Sequence, residues 1–358
     1  MNQRAKLNFT GEDIYIGIDS HKRNWRTSIQ TRDLEHKTFT QNPEPEILAE
    51  YLHRNFPGAK YHAVYEAGYS GFWICRELRD YGIDCIVTNP ADVPTKDKER
   101  KRKNNRVDAR KLARSLKNGE LEPIYIPDED ALEDRSLLRI RRNAVKDQTR
   151  YKNRIKSMLS FYGIKIPERF NEGRWSGAFV NWLESVSFNR HTGKKSMQYY
   201  IDELKRARMR VAHLNREIRA LSQEDRYRER VKYLRTIPGI GVLTAMILLT
   251  ELIDMNRFNT LDKLASYVGL VPGEYSSGDD DDQNDTGITP RSNRYLRAML
   301  IESAWVAIRK DPALMMCYNK LTRRMKGQKA IIRIARKLLS RIRYVLKNNK
   351  PYVMAVVE

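Results

Sequence analysis

Between Ile14 and Gly119, short apolar runs alternate with segments whose apolar residues recur at helical spacing. The stretches IYIGID, NWRTSIQT and HKTFTQ read as strands, and PEPEILAEYLHRNF reads as a helix that opens on proline. The pattern then repeats. YHAVYEA is a strand, GFWICRELRDYG an amphipathic helix closed by Gly82, DCIVTNP a second buried strand, and DARKLARSLKNG a helix closed by Gly119. Strands alternating with helices predict an α/β domain whose sheet has parallel character.

After the turn-rich segment EPIYIPDED the periodicity changes to that of long polar helices. Met197, Leu204, Val211 and Ile218 recur every seven residues, and Tyr200, Ala207, Leu214 and Leu221 repeat the same step three positions later. Four heptads with both seams filled predict a coiled coil. Its partner is a second copy, or the helix expected over 135–162, where Leu137, Ala144, Tyr151 and Met158 stand in register, or both, as an intramolecular hairpin that also dimerises. From Val231 short apolar helices follow, and RTIPGIGVLTAMILLTEL writes a helix, a Gly-x-Gly turn and an apolar helix in succession. That layout predicts a helix-hairpin-helix element, whose turn offers backbone N–H groups to a phosphate, or a plain tight helical turn. The expected division is an N-terminal tail over 1–13, an α/β domain over 14–127, coiled-coil dimerisation helices over 128–228, and a mostly helical domain over 229–358.

Charge narrows the class of partner. The 358 residues hold 67 Lys or Arg against 45 Asp or Glu, a formal +22, and 41% are hydrophobic. A surplus of that size points to an anionic partner, while the apolar fraction excludes a disordered polybasic tail. Residues 96–117 hold eleven Lys or Arg against Asp97, Glu99 and Asp108. Residues 135–165 hold ten against Asp147 alone, and residues 320–350 hold twelve with no acid. The last stretch is a basic amphipathic helix, with Ile331, Ile332, Ile334, Leu338, Leu339, Ile342 and Leu346 on one face. The candidate phosphate contacts are Lys101, Arg102, Lys103, Arg106 and Arg110, then Arg139 and Arg142, then Arg291 and Arg297, and finally Arg333, Arg336, Lys337 and Arg341. No apolar run reaches the roughly 18 residues of a membrane span, and the first ten residues lack a signal-type apolar core. Three cysteines at Cys75, Cys85 and Cys317, with six scattered histidines, predict a reducing cytoplasm and no zinc site.

Three acids stand out. Asp19 closes the first apolar strand, Glu66 closes the strand in HAVYEAGYSG, and Asp108 opens the helix DARKLARSL. Carboxylates at the C-terminal ends of buried strands are costly unless paired or bound to a cation, and ligand crevices open there in α/β sheets. Asp108 has a second explanation, as an acid favoured by the helix dipole. Converging hard oxygens suit one or two Mg²⁺ ions acting in phosphodiester chemistry. Ser276 and Ser277, in the loop GEYSSGDDDD, have no neighbouring histidine and by themselves read as surface hydroxyls.

The motifs GIDSHK, YEAGYSG and NRVDARKLA resemble the N-terminal RuvC-like domain of the DEDD recombinases of insertion sequences, the family related to the Piv DNA invertase. IPGIGVLTA, RFNTLDKLASYVGLVP, SSG and GITPRSNRYLR resemble that family's C-terminal serine-bearing domain. The resemblance runs from Ile14 to about Tyr352 with the heptad helix between the two parts. It implies a RuvC-like (RNase H-like) α/β domain, central coiled-coil helices and a helical serine domain. It further implies a DNA transposase that exchanges strands between donor and target duplexes, guided by a structured non-coding bridge RNA and working as a dimer that assembles to a tetramer in the bacterial or archaeal nucleoid. By position, Asp19, Glu66 and Asp108 match three of four metal-binding acids, and Ser277 matches the serine nucleophile, with Ser276 as its neighbour in competition. Asn105 stands where the family has an acid, so the ligand set loses one negative charge unless Asp97 or Glu99 replaces it. Asp279 to Asp282 are a second departure, read as a solvated loop or a metal or gating element. Two other functions fit the residues: a non-cleaving RNA- and DNA-binding protein with an impaired metal site, and a junction-resolving nuclease that uses the N-terminal domain alone. A membrane-surface role for the basic C-terminal helix lacks any accompanying lipidation signal.

Overall fold

The structure, a computed structural model, describes residues 8–94, 105–170, 174–271 and 292–354, with the side chains of Asn105 and Arg106 outside that description. The chain falls into two compact units, Met1–Ile126 and Pro127–Glu358.

In the first unit the predicted strands form a five-stranded sheet in the order β3-β2-β1-β4-β5. They are β1 (Asp13–Ser20), β2 (Trp25–Gln30), β3 (Glu35–Gln41), β4 (Lys60–Glu66) and β5 (Asp84–Thr88). The first three make an antiparallel meander, while β1 and β4, and β4 and β5, pair in parallel. The sheet is therefore mixed, with its parallel character confined to the pairs that β4 makes with β1 and β5. Side chains alternate across a strand. Ile14, Ile16 and Ile18 are fully buried in one core with Leu48 and Leu52 of helix α1 (Pro45–Asn55) and with Ile74 and Leu78 of helix α2 (Trp73–Asp80).

The opposite face receives helix α3 (Asn105–Lys117), through Leu112 against Val64. It comes unusually close at one point. A Cβ built on Gly17 would lie 2.1 Å from the Ala109 carbonyl oxygen and 2.4 Å from the Ala113 nitrogen, so helix backbone rests directly on strand backbone there. The helix begins three residues ahead of the expected start at Asp108, which places that acid in its first turn.

The second unit is helical. Helix α4 (Glu129–Phe161) is capped by Asp128, whose Oδ1 accepts from the Ala131 N–H at 2.7 Å. It packs along α6 (His191–Leu221), and the short α5 (Gly177–Ser185) covers one end of the pair. From α6, Met197, Ile201, Leu204, Ala207, Leu214, Ile218 and Leu221 are buried, so both heptad seams meet apolar partners within the chain. Ile155 and Leu159 of α4 join one core with Phe179, Leu183 and Ile201. Leu138 joins a second, larger core with Ile218, Leu249, Leu300 and Leu338. That core gathers α7 (Arg228–Leu234), α8 (Val242–Leu252), α9 (Leu261–Val268), α10 (Arg294–Ala307), α11 (Pro312–Thr322) and α12 (Gly327–Asn348). The apolar face foreseen for the last helix is its buried face, through Ile331, Ile334, Leu338, Leu339 and Ile342. No helix among the described residues is long and apolar enough to cross a membrane.

Candidate functional site

Strand parity places the acids. Gly17 faces α3, so Asp19, two residues on, lies on the same side of the sheet. Gly17 pairs with Val64 and Ile18 with Tyr65 across parallel strands, so the next step sets Asp19 beside Glu66. Val64 packs against Leu112 of α3, which puts Glu66 on that face too. The close approach at Gly17 then brings the first turn of α3, with Asp108, to the same edge. Two hydrogen bonds tighten the loop after Glu66. The Tyr65 hydroxyl donates to the Gly71 carbonyl at 2.9 Å, and the Ser20 and Ser70 hydroxyls lie 3.1 Å apart, joining the segments GIDSHK and YEAGYSG.

Electrostatics shows which acids feel each other. Burial raises the Asp19 carboxyl above the ordinary carboxylate range, His21 draws it down, and the charge of Asp108 raises it again. His21 Nε2 lies 3.2 Å from Asp19 Oδ2, and the buried Lys111 reaches Asp108 Oδ1 at 3.4 Å. Among the described residues no group of three His, Cys, Asp or Glu side chains is placed to hold a metal ion. The donors nevertheless fit a hard cation. Asp19 and Asp108 repel each other in a partly dry crevice, and carboxylate oxygens are the donor type that a divalent cation takes. His21 and Lys111 were not singled out from the sequence. Their signal was local, since His21 lies two residues beyond Asp19 and Lys111 one helical turn beyond Asp108.

The basic candidates occupy several settings. Arg110 ion-pairs with Glu35 and donates through Nε to Thr38 Oγ1 at 3.1 Å, on the wall of a cleft of about 360 Å³ that Arg114 and Lys117 also line. Arg139 is held by the buried Glu251, and the Arg142 guanidinium lies 4.5 Å from the centre of the Tyr295 ring. Arg297 is half-buried on α10. On α12, Arg333 and Lys337 face solvent, Arg336 pairs with Asp262, and Arg341 pairs with the buried Asp311 and stacks on Tyr352. Ser276, Ser277, Asp279 to Asp282, Asp97, Glu99, Lys101, Arg102, Lys103 and Arg291 lie outside the described residues, as do the side chains of Asn105 and Arg106.

Comparison with known proteins gives two family matches. Residues 16–164 match the DEDD transposase model of IS110 type, described as Transposase. Residues 231–319 match the model described as Transposase IS116/IS110/IS902 family. The chain is 31% identical over 260 residues to the Sinorhizobium fredii protein y4qE, an alignment that covers 73% of this chain and 60% of the relative's length. It is 27% identical over 246 residues to the transposase for insertion sequence element IS1533 of Leptospira borgpetersenii, covering 67% of this chain and 70% of that protein. It is also 33% identical over 126 residues to the pilin gene-inverting protein of Moraxella bovis, covering 34% of this chain and 38% of that protein.

Proposed function

Because the chain carries the DEDD transposase and IS116/IS110/IS902 transposase domains, we propose that it is a recombinase that cuts and exchanges DNA strands at the ends of an insertion sequence. One observation supports this reading most directly: the parallel register of β1 and β4 runs to Ile18 and Tyr65, one residue short of Asp19 and Glu66, and the charge of Asp108 on α3 acts on Asp19. Asp19, Glu66 and Asp108, with Asn105 in the fourth place, would hold Mg²⁺. The ion supplies charge stabilisation for the attacking and leaving oxygens of a phosphodiester displacement. Lys111 offsets carboxylate charge in the crevice beside Asp108, and His21, 3.2 Å from Asp19, helps keep that carboxylate in place.

The chain's own nucleophile is Ser277. Its Oγ displaces a deoxyribose oxygen from phosphorus, forming a phosphoserine ester and freeing a hydroxyl that can later attack such an ester and restore the serine. The N-terminal domain is RuvC-like, the long-helix hairpin, with its heptad seams filled within the chain, also dimerises the chain on the way to a tetramer, and the turn at Gly239 to Gly241 acts as a helix-hairpin-helix phosphate contact. Donor and target duplexes are chosen by pairing with a structured non-coding RNA of the element, since phosphate contacts by the basic helices carry no base readout.

The test uses the full chain with its copurified RNA and supercoiled donor DNA. Mg²⁺ should yield nicked product and a covalent protein–DNA adduct on denaturing gels. Ser277→Ala should yield neither, while Ser276→Ala retains both. Undiminished cleavage by Ser277→Ala would remove the serine assignment, and cleavage in EDTA would remove the metal site. Sequencing the copurified RNA should return a transcript from the element's flank rather than random cellular RNA.

Asn105 favours a second reading, a protein that binds nucleic acid without cutting it. Restoring a carboxylate adds a charged ligand, so Asn105→Asp should lower the Mg²⁺ concentration for half-maximal cleavage about tenfold. If the wild type is inert and Asn105→Asp cleaves, the scaffold is an attenuated recombinase; if both are inert, the binding role stands.

A further inference from the structure

The second unit contains an acid that the transposition chemistry leaves unused. Glu251 ends the apolar segment VLTAMILLTEL on α8, and its side chain is 1% exposed. Both of its oxygens are engaged. Arg139 of α4 donates Nε to Oε1 at 2.9 Å and Nη2 to Oε2 at 3.0 Å, and Asn293 Nδ2 donates to Oε2 at 2.8 Å. The Tyr267 hydroxyl closes the cluster on the Glu251 backbone carbonyl at 3.3 Å. Burial alone would push the Glu251 carboxyl up, but the Arg139 hydrogen bonds and charge, with Asn293, hold it below its usual range, so it is ionised.

A buried carboxylate that fastens one half-exposed guanidinium is weak grounds for stability, because the desolvation of both ions offsets most of their attraction. The arrangement positions what stands around it. Arg139 forms one wall of an open cleft of about 590 Å³ that Arg142, Asn143 and Arg294 also line. The Arg142 guanidinium carbon lies 4.5 Å from the centre of the Tyr295 ring, a cation–π contact that fixes the side chain at the cleft. Among the described residues neither Arg142 nor Arg294 forms an ion pair, so three guanidiniums line the cleft against one carboxylate whose oxygens point into its own cluster. Asn293 meanwhile caps α10, its Oδ1 accepting from the Tyr295 and Leu296 N–H groups, so the positive end of that fourteen-residue helix is tied to the same carboxylate.

We infer that this cleft is a preorganised phosphodiester site in which Arg139, Arg142 and Arg294 grip a backbone phosphate of a DNA strand, with Glu251 as the positioning residue that aims Arg139. Fork-shaped guanidiniums at a helix N-terminus suit a phosphate's oxygens, and a fixed fork forfeits less side-chain freedom on binding. The inference rests on the nucleic-acid-binding reading above.

The experiment measures equilibrium binding of a labelled DNA duplex, and in parallel an RNA hairpin, to the full chain over a salt series. Arg142→Ala and Arg294→Ala should each weaken DNA binding on the order of tenfold and flatten the slope of log K against log salt by roughly one. Glu251→Gln is decisive in sign. Deleting a negative charge beside an anion site should tighten binding by simple Coulomb attraction, whereas loss of a positioning residue should weaken it several-fold, and the inference expects weakening. Thermal unfolding confirms that each variant is folded, and if Glu251→Gln is not, the Arg142 and Arg294 variants decide alone. Wild-type affinity and slope in both arginine variants, or tighter binding by a folded Glu251→Gln, would overturn the inference while leaving the nucleic-acid reading intact. A greater loss on the RNA arm than on the DNA arm would overturn the assignment to DNA. A wild-type chain that binds neither probe would overturn both.

Discussion

Asp19→Asn is expected to abolish strand cleavage and, in metal-free buffer at neutral pH, to make the N-terminal unit more stable. Metal-assisted charge stabilisation would account for several kcal/mol of a phosphodiester barrier, so losing one of the proposed carboxylate ligands should slow cleavage on the order of a thousandfold. The stability change has the opposite sign because burial and the nearby Asp108 charge raise the Asp19 carboxyl despite His21. A carboxyl raised on folding contributes stability that is fully present below its unfolded value and is lost as pH rises through its folded value. At neutral pH the ionised Asp19 therefore opposes folding, and the neutral isostere removes that opposition. The melting difference between Asp19→Asn and wild type should be positive at pH 7, shrink as pH falls through the raised folded value of Asp19, and be gone below its ordinary value of about 4. Added Mg²⁺ should raise the wild-type melting temperature more than the variant's. A variant that is less stable than wild type at pH 7 would show that Asp19 is a structural acid rather than one waiting for a cation.

Gly17→Ala should be the most damaging small substitution in the N-terminal unit. The added methyl would lie 2.1 Å from the Ala109 carbonyl oxygen and 2.4 Å from the Ala113 nitrogen, both backbone atoms that no rotamer change can move aside. Helix α3 must lift from the sheet, at a cost of about 3 kcal/mol, or roughly 10 to 20 °C in the melting of a unit of this size. Lifting also withdraws Asp108 from Asp19, so Mg²⁺-dependent stabilisation should disappear along with the packing. Gly177→Ala is the matched control, since nothing lies within 4 Å of a Cβ at that position. It should be neutral in thermal unfolding, and equal losses at the two glycines would refute the contact argument.

Much of this was legible in the residues. Short apolar runs located every strand of the sheet, and the carboxylates at the ends of β1 and β4 were conspicuous as charges closing apolar runs. The antiparallel pairing of β1 with β2 was not legible, since Trp25–Gln30 buries both faces and so reads like any interior strand. Nor was the role of Gly17. One glycine in IYIGID gives no hint that a helix 90 residues later rests its backbone there. Heptad spacing showed that α6 needs an apolar partner but not which one, because α4 and a second copy would present equivalent seams. Glu251 escaped notice for a different reason. A single acid at the end of VLTAMILLTEL looks like the polar boundary of an apolar helix, and only packing reveals that it faces inward toward Arg139 from 112 residues earlier.

Helix α4 rises about 1.5 Å per residue, so its 33 residues form a strut roughly 50 Å long. It enters one hydrophobic core through Leu138 and another through Ile155 and Leu159. A residue inserted between those contacts would turn everything beyond it by about 100° and aim one of the two cores at solvent. The distance between the cores is therefore quantised. Relatives of this chain can lengthen or shorten the pair of long helices only by whole heptads taken from both together, in steps of roughly 10 Å.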